Sequence, residues 1–356
     1  MAASVAVHFA TNREEIVEGE NVVGFGSGLN QRSPLWLRYG AADMVARKDD
    51  SGFDILSLRV APETVPLEAG DAVPVLGSAS VFDGLRLRLI ANKKADLVLL
   101  LHGYACDMPN ALSNAAEIKS KWGTAARPLE TAVFAWPSDG VIVPWLSYAS
   151  DRDDARSSAK AVARALLRFL DYVGSLKRED WCNANIHLVA HSMGNYVLRN
   201  ALQALISEKG GRTLPRVFKN IFLMAADEDN DAFEHQDKLA RLPELAEAVH
   251  VYFAGNDGAL TISDTSKGNP DRLGSTGPRT LTSLPQKVIW IDCADVSYTA
   301  PATNVRHQYY RKRPEVLADV RAVIAGSAPE LIPGRDWVPS RFCYRIRARK
   351  ASLRNE

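Results

Sequence analysis

The chain has 356 residues, 46% of them hydrophobic and 24% charged, with 23 glycines and 18 prolines. That composition excludes collagen-like, low-complexity and wholly disordered chains, and the length suits one or two domains around a large buried core. Forty-three basic and 42 acidic side chains leave a formal net charge of +1, so no global field draws nucleic acid to the surface and no nucleic-acid partner is expected.

Residues 1–95 carry strand-like runs at Val5–Ala10, Phe53–Val60 and Leu85–Ile90, with no strong helical stripe between them. They are expected to add antiparallel strands to one edge of the sheet formed by the rest of the chain. From Asp96 to residue 330, short apolar runs alternate with amphipathic stretches. The runs are Leu97–Leu101, Ala132–Trp136, Ile186–Ala190, Ile221–Ala226, His250–Phe253 and Val288–Asp292. Each is rich in Val, Ile, Leu or Phe with little polar alternation, which suits strands covered on both faces, as in a parallel sheet. Between them, Ala155, Ala159, Val162, Leu166, Phe169, Leu170 and Val173 recur at three- and four-residue steps and predict one helix. Val197, Leu198, Ala201, Leu202 and Leu205 predict another. The segment Gly258–Thr280 is polar and rich in Gly and Ser, the composition of a loop or flap. Pro314 is placed to open a last helix and Gly326 to close it. Residues 331–356 are basic, with Arg341, Arg345, Arg347, Arg349, Lys350 and Arg354. They read as a solvated tail or edge strand, with contact to an anionic surface as the alternative. Strands alternating with helices predict an α/β protein with a mostly parallel, doubly wound sheet and helices on both faces.

The cysteines Cys106, Cys182, Cys293 and Cys343 lie far apart and form no CxxC, so neither a zinc site nor a disulfide framework is expected. Free thiols fit a reducing compartment. The first residues lack a basic stretch followed by a long apolar one, and no run approaches the roughly 18 apolar residues of a membrane span. A cytoplasmic protein without a membrane span is the expectation.

The densest chemical signal is Ile186-His-Leu-Val-Ala-His-Ser-Met-Gly-Asn-Tyr196. A strand runs into Ala190-His-Ser-Met-Gly194 and a helix follows, the strand–turn–helix setting of a nucleophile elbow. Such a turn requires small residues two before and two after the nucleophile, and Ala190 and Gly194 stand there. The alternative is a serine that only caps the helix. Ser192 as nucleophile needs a base, and the chain order in this class of sheet is serine, acid, histidine. Of the seven histidines, His8, His102, His187 and His191 precede the serine. His250 lies within an apolar run, and His235 comes too soon after the fourth strand. His307, between the last strand and the Pro314 helix, remains. The acid that orients the imidazole is sought at strand ends, among Asp227, Asp229, Asp257 and Asp292. Asp257, one strand beyond Asp227, is favoured, with Asp229 or Asp227 as fallback. Oxyanion donors are expected from the backbone amides of Met193 and of Tyr104, the latter in the turn His102-Gly-Tyr that follows the first core strand. Trp136, Pro137, Ser138, Trp145 and Tyr148 are expected to line or support a pocket wall, with Trp136 and Tyr148 as candidate substrate contacts.

These pieces, in this order, resemble the α/β-hydrolase superfamily, in particular a bacterial esterase- and lipase-like branch catalogued as a domain of unknown function. The similarity spans roughly residues 5–310 and rests on Ala10-Thr-Asn-Arg13, Leu101-His-Gly-Tyr104, Phe134-Ala-Trp-Pro-Ser138 and Tyr148 with Asp151, Ala155 and Ser158. It continues with Ala190-His-Ser-Met-Gly194, Ala225-Ala-Asp-Glu-Asp229, Tyr252 with Asn256-Asp257 and Ala259-Leu260, Arg272-Leu-Gly274 and His307. Arg306 stands where the branch often has a glycine. The resemblance implies an α/β-hydrolase fold and hydrolysis of a carboxylic ester through serine, aspartate and histidine.

The combined reading is a serine hydrolase acting on a small-molecule acyl ester. Ser192, His307 and Asp257 form its triad, and the chemistry requires neither metal nor organic cofactor. Thioesterase, lipase, amidase and acyltransferase reactions use the same machinery and stay open. The alternative from another class is a non-catalytic binding or scaffold protein on the same fold.

Overall fold

A computed structural model describes residues 4–63, 76–138, 146–257, 271–282, 284–297 and 307–348, with the side chains of residues 146–149 excepted. Its organising element is an 11-stranded sheet. The middle of that sheet consists of β6 (Asp96–Leu101), β7 (Leu129–Ala135), β8 (Ile186–His191), β9 (Phe218–Met224), β10 (Ala246–Phe253) and β11 (Val288–Asp292). Their side chains are buried on both faces, which is why each reads as a continuous apolar run rather than an alternation. All pair in parallel, in the spatial order β11-β10-β9-β8-β6-β7.

Helices cover both faces. On one side, α1 (Gly77–Ala91), α3 (Leu146–Ser175) and α4 (Gly194–Glu208) bury Val81, Leu85, Ala161, Leu198 and Leu202 against the sheet. On the other, α2 (Met108–Trp122) and the helix Pro314–Ile324 bury Leu112, Trp122, Val316 and Val320. Asp107 caps α2 by accepting the Asn110 N–H at 2.8 Å. Pro314 opens the last helix, and Gly326, at φ 87°, stops it.

The N-terminal residues extend the same sheet. Strand β1 (Val5–Thr11) lies parallel to β7 and antiparallel to β4 (Arg38–Ala46), which pairs antiparallel with β5 (Phe53–Val60) at the edge. A separate hairpin, β2 (Arg13–Glu18) and β3 (Asn21–Leu29), interrupts them.

One expectation changes. Leu85–Ile90 is not a strand but the second half of α1. Leu-Arg-Leu-Arg-Leu satisfies a two-residue period, yet Val81, Leu85 and Leu89 are buried at four-residue steps while Leu87 is exposed. Packing across that longer period against the sheet selects the helix. Past residue 330 the sheet continues with two strands at its edge. Strand β12 (Arg335–Val338) pairs antiparallel with β13 (Cys343–Ile346), and β13 lies parallel to β11. Arg341 and Arg345 both reach Asp292, at 2.9 and 3.0 Å, so this basic stretch is anchored on the sheet up to residue 346. Arg349, Lys350 and Arg354 lie outside the described residues. No helix among the described residues is long and apolar enough to cross a membrane.

Candidate active site

Strand β8 ends at His191 and α4 begins at Gly194, so Ser192 occupies the sharp corner between them. Its φ is 52°, the left-handed region that costs a non-glycine residue about 1–2 kcal/mol. Surrounding backbone bonds hold it there. The Ser192 N–H donates to the Met224 carbonyl at 3.0 Å, and the Ser192 carbonyl accepts the amides of Asn195 and Asp227 at 3.0 and 3.2 Å. The Asn195 side chain donates to the same carbonyl at 3.0 Å. A Cβ on Gly194 would stand 2.4 Å from the Leu101 carbonyl oxygen and 2.6 Å from that of His102. A Cβ on Gly103 would stand 2.9 Å from Ser192 Cβ. The corner and the turn after β6 approach so closely that both positions must be glycine.

His307 and Asp257 come from loops at the carboxyl edge of the sheet. Asp257 closes a turn after β10, its N–H donating to Ala254 at 3.0 Å, and Asn256 ties that turn to the Ala294 carbonyl at 2.9 Å. The His307 Nδ1–H donates to Asp257 Oδ2 at 2.7 Å, with both residues buried. A proton on Nδ1 leaves Nε2 of the neutral ring as the basic nitrogen. His307 also packs on the residue preceding Ser192. The His191 and His307 rings are 4.7 Å apart, and the His307 carbonyl accepts His191 Nε2–H at 3.3 Å. His191 stacks on Tyr310 at 4.5 Å, and Trp122 of α2 donates to the Tyr310 carbonyl at 3.1 Å. The Tyr309 hydroxyl donates to the Tyr252 carbonyl at 2.9 Å. The segment carrying the imidazole is thus pinned from α2, β8 and β10.

Burial pulls the His307 pKa down, but the charge of Asp257 and its hydrogen bond, with the charge of Asp227, outweigh burial and raise it above the usual histidine value. His191 behaves oppositely. Burial, the neighbouring His307 and Arg311 hold it well below that value, so it stays neutral. His250 is a core histidine, bonded to Asn220 at 3.1 Å and pushed down to about 3, first by burial.

The other candidate acids are held by cations. Buried Arg272 lies 3.3 Å from Asp227 and 2.7 Å from Asp229, and Lys238 reaches Asp229 at 2.9 Å. Asp292 carries Arg341 and Arg345. Sequence reasoning singled out Arg272-Leu-Gly274 without a role. The backbone supplies one, because Leu273 N–H bonds to Glu228 at 2.7 Å and Gly274 N–H to Ala226 at 2.9 Å, while the Gly274 carbonyl accepts the Ala254 N–H at 2.9 Å, stitching the ends of β9 and β10 together. Of the expected loop or flap at 258–280, residues 258–270 lie outside the described residues, and residues 272–276 form this stitched segment.

Tyr104 follows Gly103 on the turn after β6, and Met193 is the N-cap residue of α4. Trp136, expected as a substrate contact or a supporting wall, is completely enclosed. Its indole stacks on His102 at 4.9 Å and 7°, and its Nε1–H donates to the His102 carbonyl at 2.9 Å. It supports the turn from behind and has no face left for a substrate. The side chain of Tyr148, along with Trp145 and Arg306, lies outside the described residues.

The family described as "Alpha/beta hydrolase of unknown function (DUF900)" matches the chain over residues 78–325. Among solved structures, a proposed cell surface hydrolase from Lactobacillus plantarum WCFS1 is similar at 13% identity, over 66% of this chain and 93% of that one, with a TM-score of 0.35. No curated protein matches.

Proposed function

Because the chain belongs to the DUF900 family of alpha/beta hydrolases, we propose that it is a serine hydrolase that cleaves a carboxylic ester through an acyl-enzyme. The observation that carries this reading is the buried His307–Asp257 hydrogen bond at 2.7 Å, packed through His191 onto the strained corner that holds Ser192. His187 also lies by a buried carboxylate, 3.7 Å from Asp96, so what singles out His307 is its shorter bond to Asp257 together with its packing against the residue before Ser192.

Ser192 Oγ attacks the ester carbonyl while His307 Nε2 accepts the hydroxyl proton. Asp257 holds the ring by Nδ1 and stabilises the imidazolium. The negative charge on the carbonyl oxygen falls to the backbone amides of Met193, at the positive end of α4, and Tyr104. As the tetrahedral adduct collapses, the imidazolium returns its proton to the departing alkoxide, which leaves as the alcohol. Water then attacks the acyl-serine with His307 again taking a proton, and collapse releases the carboxylic acid and restores the serine. Thioesters, amides and transfer to another alcohol pass through the same adduct. Turnover across acyl-chain lengths and leaving groups separates these substrates.

A fluorophosphonate probe tests the nucleophile. The expected result is one covalent adduct per chain, on the peptide containing Ser192. A folded protein that stays unlabelled, or is labelled on another residue, overturns the proposal.

The His307 pKa supplies a second test. Attack needs the neutral ring, so kcat/KM for a short ester should rise with pH along a single limb centred above 6.5. Stability runs the other way. A raised folded-state pKa stabilises the protein fully below pH 6.5, and that contribution is lost as pH climbs through the raised value. A rate profile between pH 5 and 9 reads the first effect, and a limb centred below 6.5 contradicts it.

A further inference from the structure

Three enclosed polar side chains that take no part in the steps above grip the backbone next to Tyr104. Asp151, on α3, accepts the Ala105 N–H at 3.2 Å through Oδ2, and the same oxygen accepts the Ser138 hydroxyl at 2.5 Å. Ser138 Oγ accepts the Cys106 N–H at 3.1 Å. Arg13, at the start of β2, donates from Nη2 to the Cys106 carbonyl at 2.7 Å and from Nη1 to the Ser138 carbonyl at 3.2 Å. All three side chains are completely buried. Between these anchors and the His102 carbonyl, itself held by Trp136, lie Gly103 and Tyr104. Ala105 has a φ of 51°, a conformation alanine rarely adopts unless held.

We infer that Arg13, Ser138 and Asp151 are positioning residues that set the oxyanion-binding amide of Tyr104 by holding Ala105 in its left-handed conformation. The inference rests on the ester-hydrolase reading above. Buried charged groups add little net stability over apolar packing of equal volume. Here they come from three separate elements and converge on one short loop, fixing the Ala105 and Cys106 N–H groups and the Cys106 carbonyl. A donor held this way meets developing negative charge without first reorganising. Arg13, Ser138 and Asp151 all belong to motifs evident in the sequence, but their common target is visible only in the folded chain.

The test compares wild type, Ser192→Ala, Ser138→Ala, Asp151→Ala and Asp151→Asn on p-nitrophenyl acetate, with hydrogen exchange over residues 103–107. Ser138→Ala should lower kcat by about 10- to 100-fold, short of the 10²–10³ lost with an oxyanion donor removed outright. Its KM should stay within about 3-fold, because ground-state binding does not use the oxyanion. The acid limb of the pH profile should not move, since His307 keeps its partner. Asp151→Asn should retain more rate than Asp151→Ala, because its amide oxygen can still accept both hydrogen bonds. Exchange at 103–107 should quicken. Adding Ala105→Gly to Ser138→Ala should worsen or leave unchanged a merely structural defect, but here it should restore part of kcat, since glycine takes positive φ unaided. Should Ser138→Ala not fold, Asp151→Ala carries the same comparison, with Asp151→Asn as its conservative control. Folded Ser138→Ala or Asp151→Ala with wild-type kcat and unchanged exchange overturns the inference. If the wild type turns over no ester, the hydrolase reading falls instead, and unchanged loop exchange still overturns the grip.

Discussion

Ser192→Ala should abolish ester turnover, lowering kcat by about 10⁶-fold, the scale seen when a serine nucleophile is removed from a triad. Folding should survive. Alanine keeps the Cβ, so the left-handed strain at φ 52° is the same, and the bonds that hold the corner all use the backbone or Asn195. KM should change little, because the hydroxyl does its work in the transition state rather than in binding. The informative extension is Ser192→Ala combined with His307→Ala. A base without its nucleophile has no proton to take, so the double variant should be no slower than the single one. Steady-state kinetics and a thermal melt check all three points. Turnover within about 10-fold of wild type in a folded Ser192→Ala protein removes the serine from the mechanism.

Asp257→Asn comes next in size, with an expected loss in kcat of about 10⁴-fold. Asparagine fits the same space but presents an amide, which favours the tautomer with the proton on Nε2, where the serine proton must go. The pH profile should report the same change by a separate route. Asp257 supplies the largest upward influence on His307, so without it burial dominates and the acid limb should move to lower pH. A loss below about 10-fold would shift the acid role to Asp227, whose charge also bears on His307. Asp227 is already engaged with buried Arg272 at 3.3 Å, and Asp227→Asn should therefore cost far less than Asp257→Asn.

Arg13 illustrates why a residue can stand in a recognisable motif without its role being readable. An arginine after a strand, a serine after Trp136-Pro and an aspartate opening a long helix are unremarkable singly. Their hydrogen bonds span 93 and 125 residues for Arg13 and 46 for Asp151. Local pattern carries no information about pairings at such separations. Trp136 teaches the same lesson about exposure. An aromatic beside a candidate site reads equally well as pocket or packing, and only the neighbours on every side decide for packing.

What the amino-acid order determined by itself was whatever depends on near neighbours. Doubly covered strands appear as unbroken apolar runs because both faces are buried, and the elbow appears as Ala190 and Gly194 flanking a serine because a strand–turn–helix corner takes small residues two before and two after its nucleophile. The order of serine, acid and histidine along the chain likewise narrowed seven histidines to three, and the local settings of His235 and His250 left His307 as the candidate base. Tertiary structure alone decided the rest. It made α1 a helix, since Val81, Leu85 and Leu89 had to meet the sheet together, and it carried the sheet through β12 and β13 by giving Asp292 two arginine partners. It also separated Asp257 from three other carboxylates at strand ends, because Arg272, Arg341 and Arg345 arrive from distant segments to claim the others. Which cation meets which acid is set by how layers stack in space, and one-dimensional spacing does not encode it.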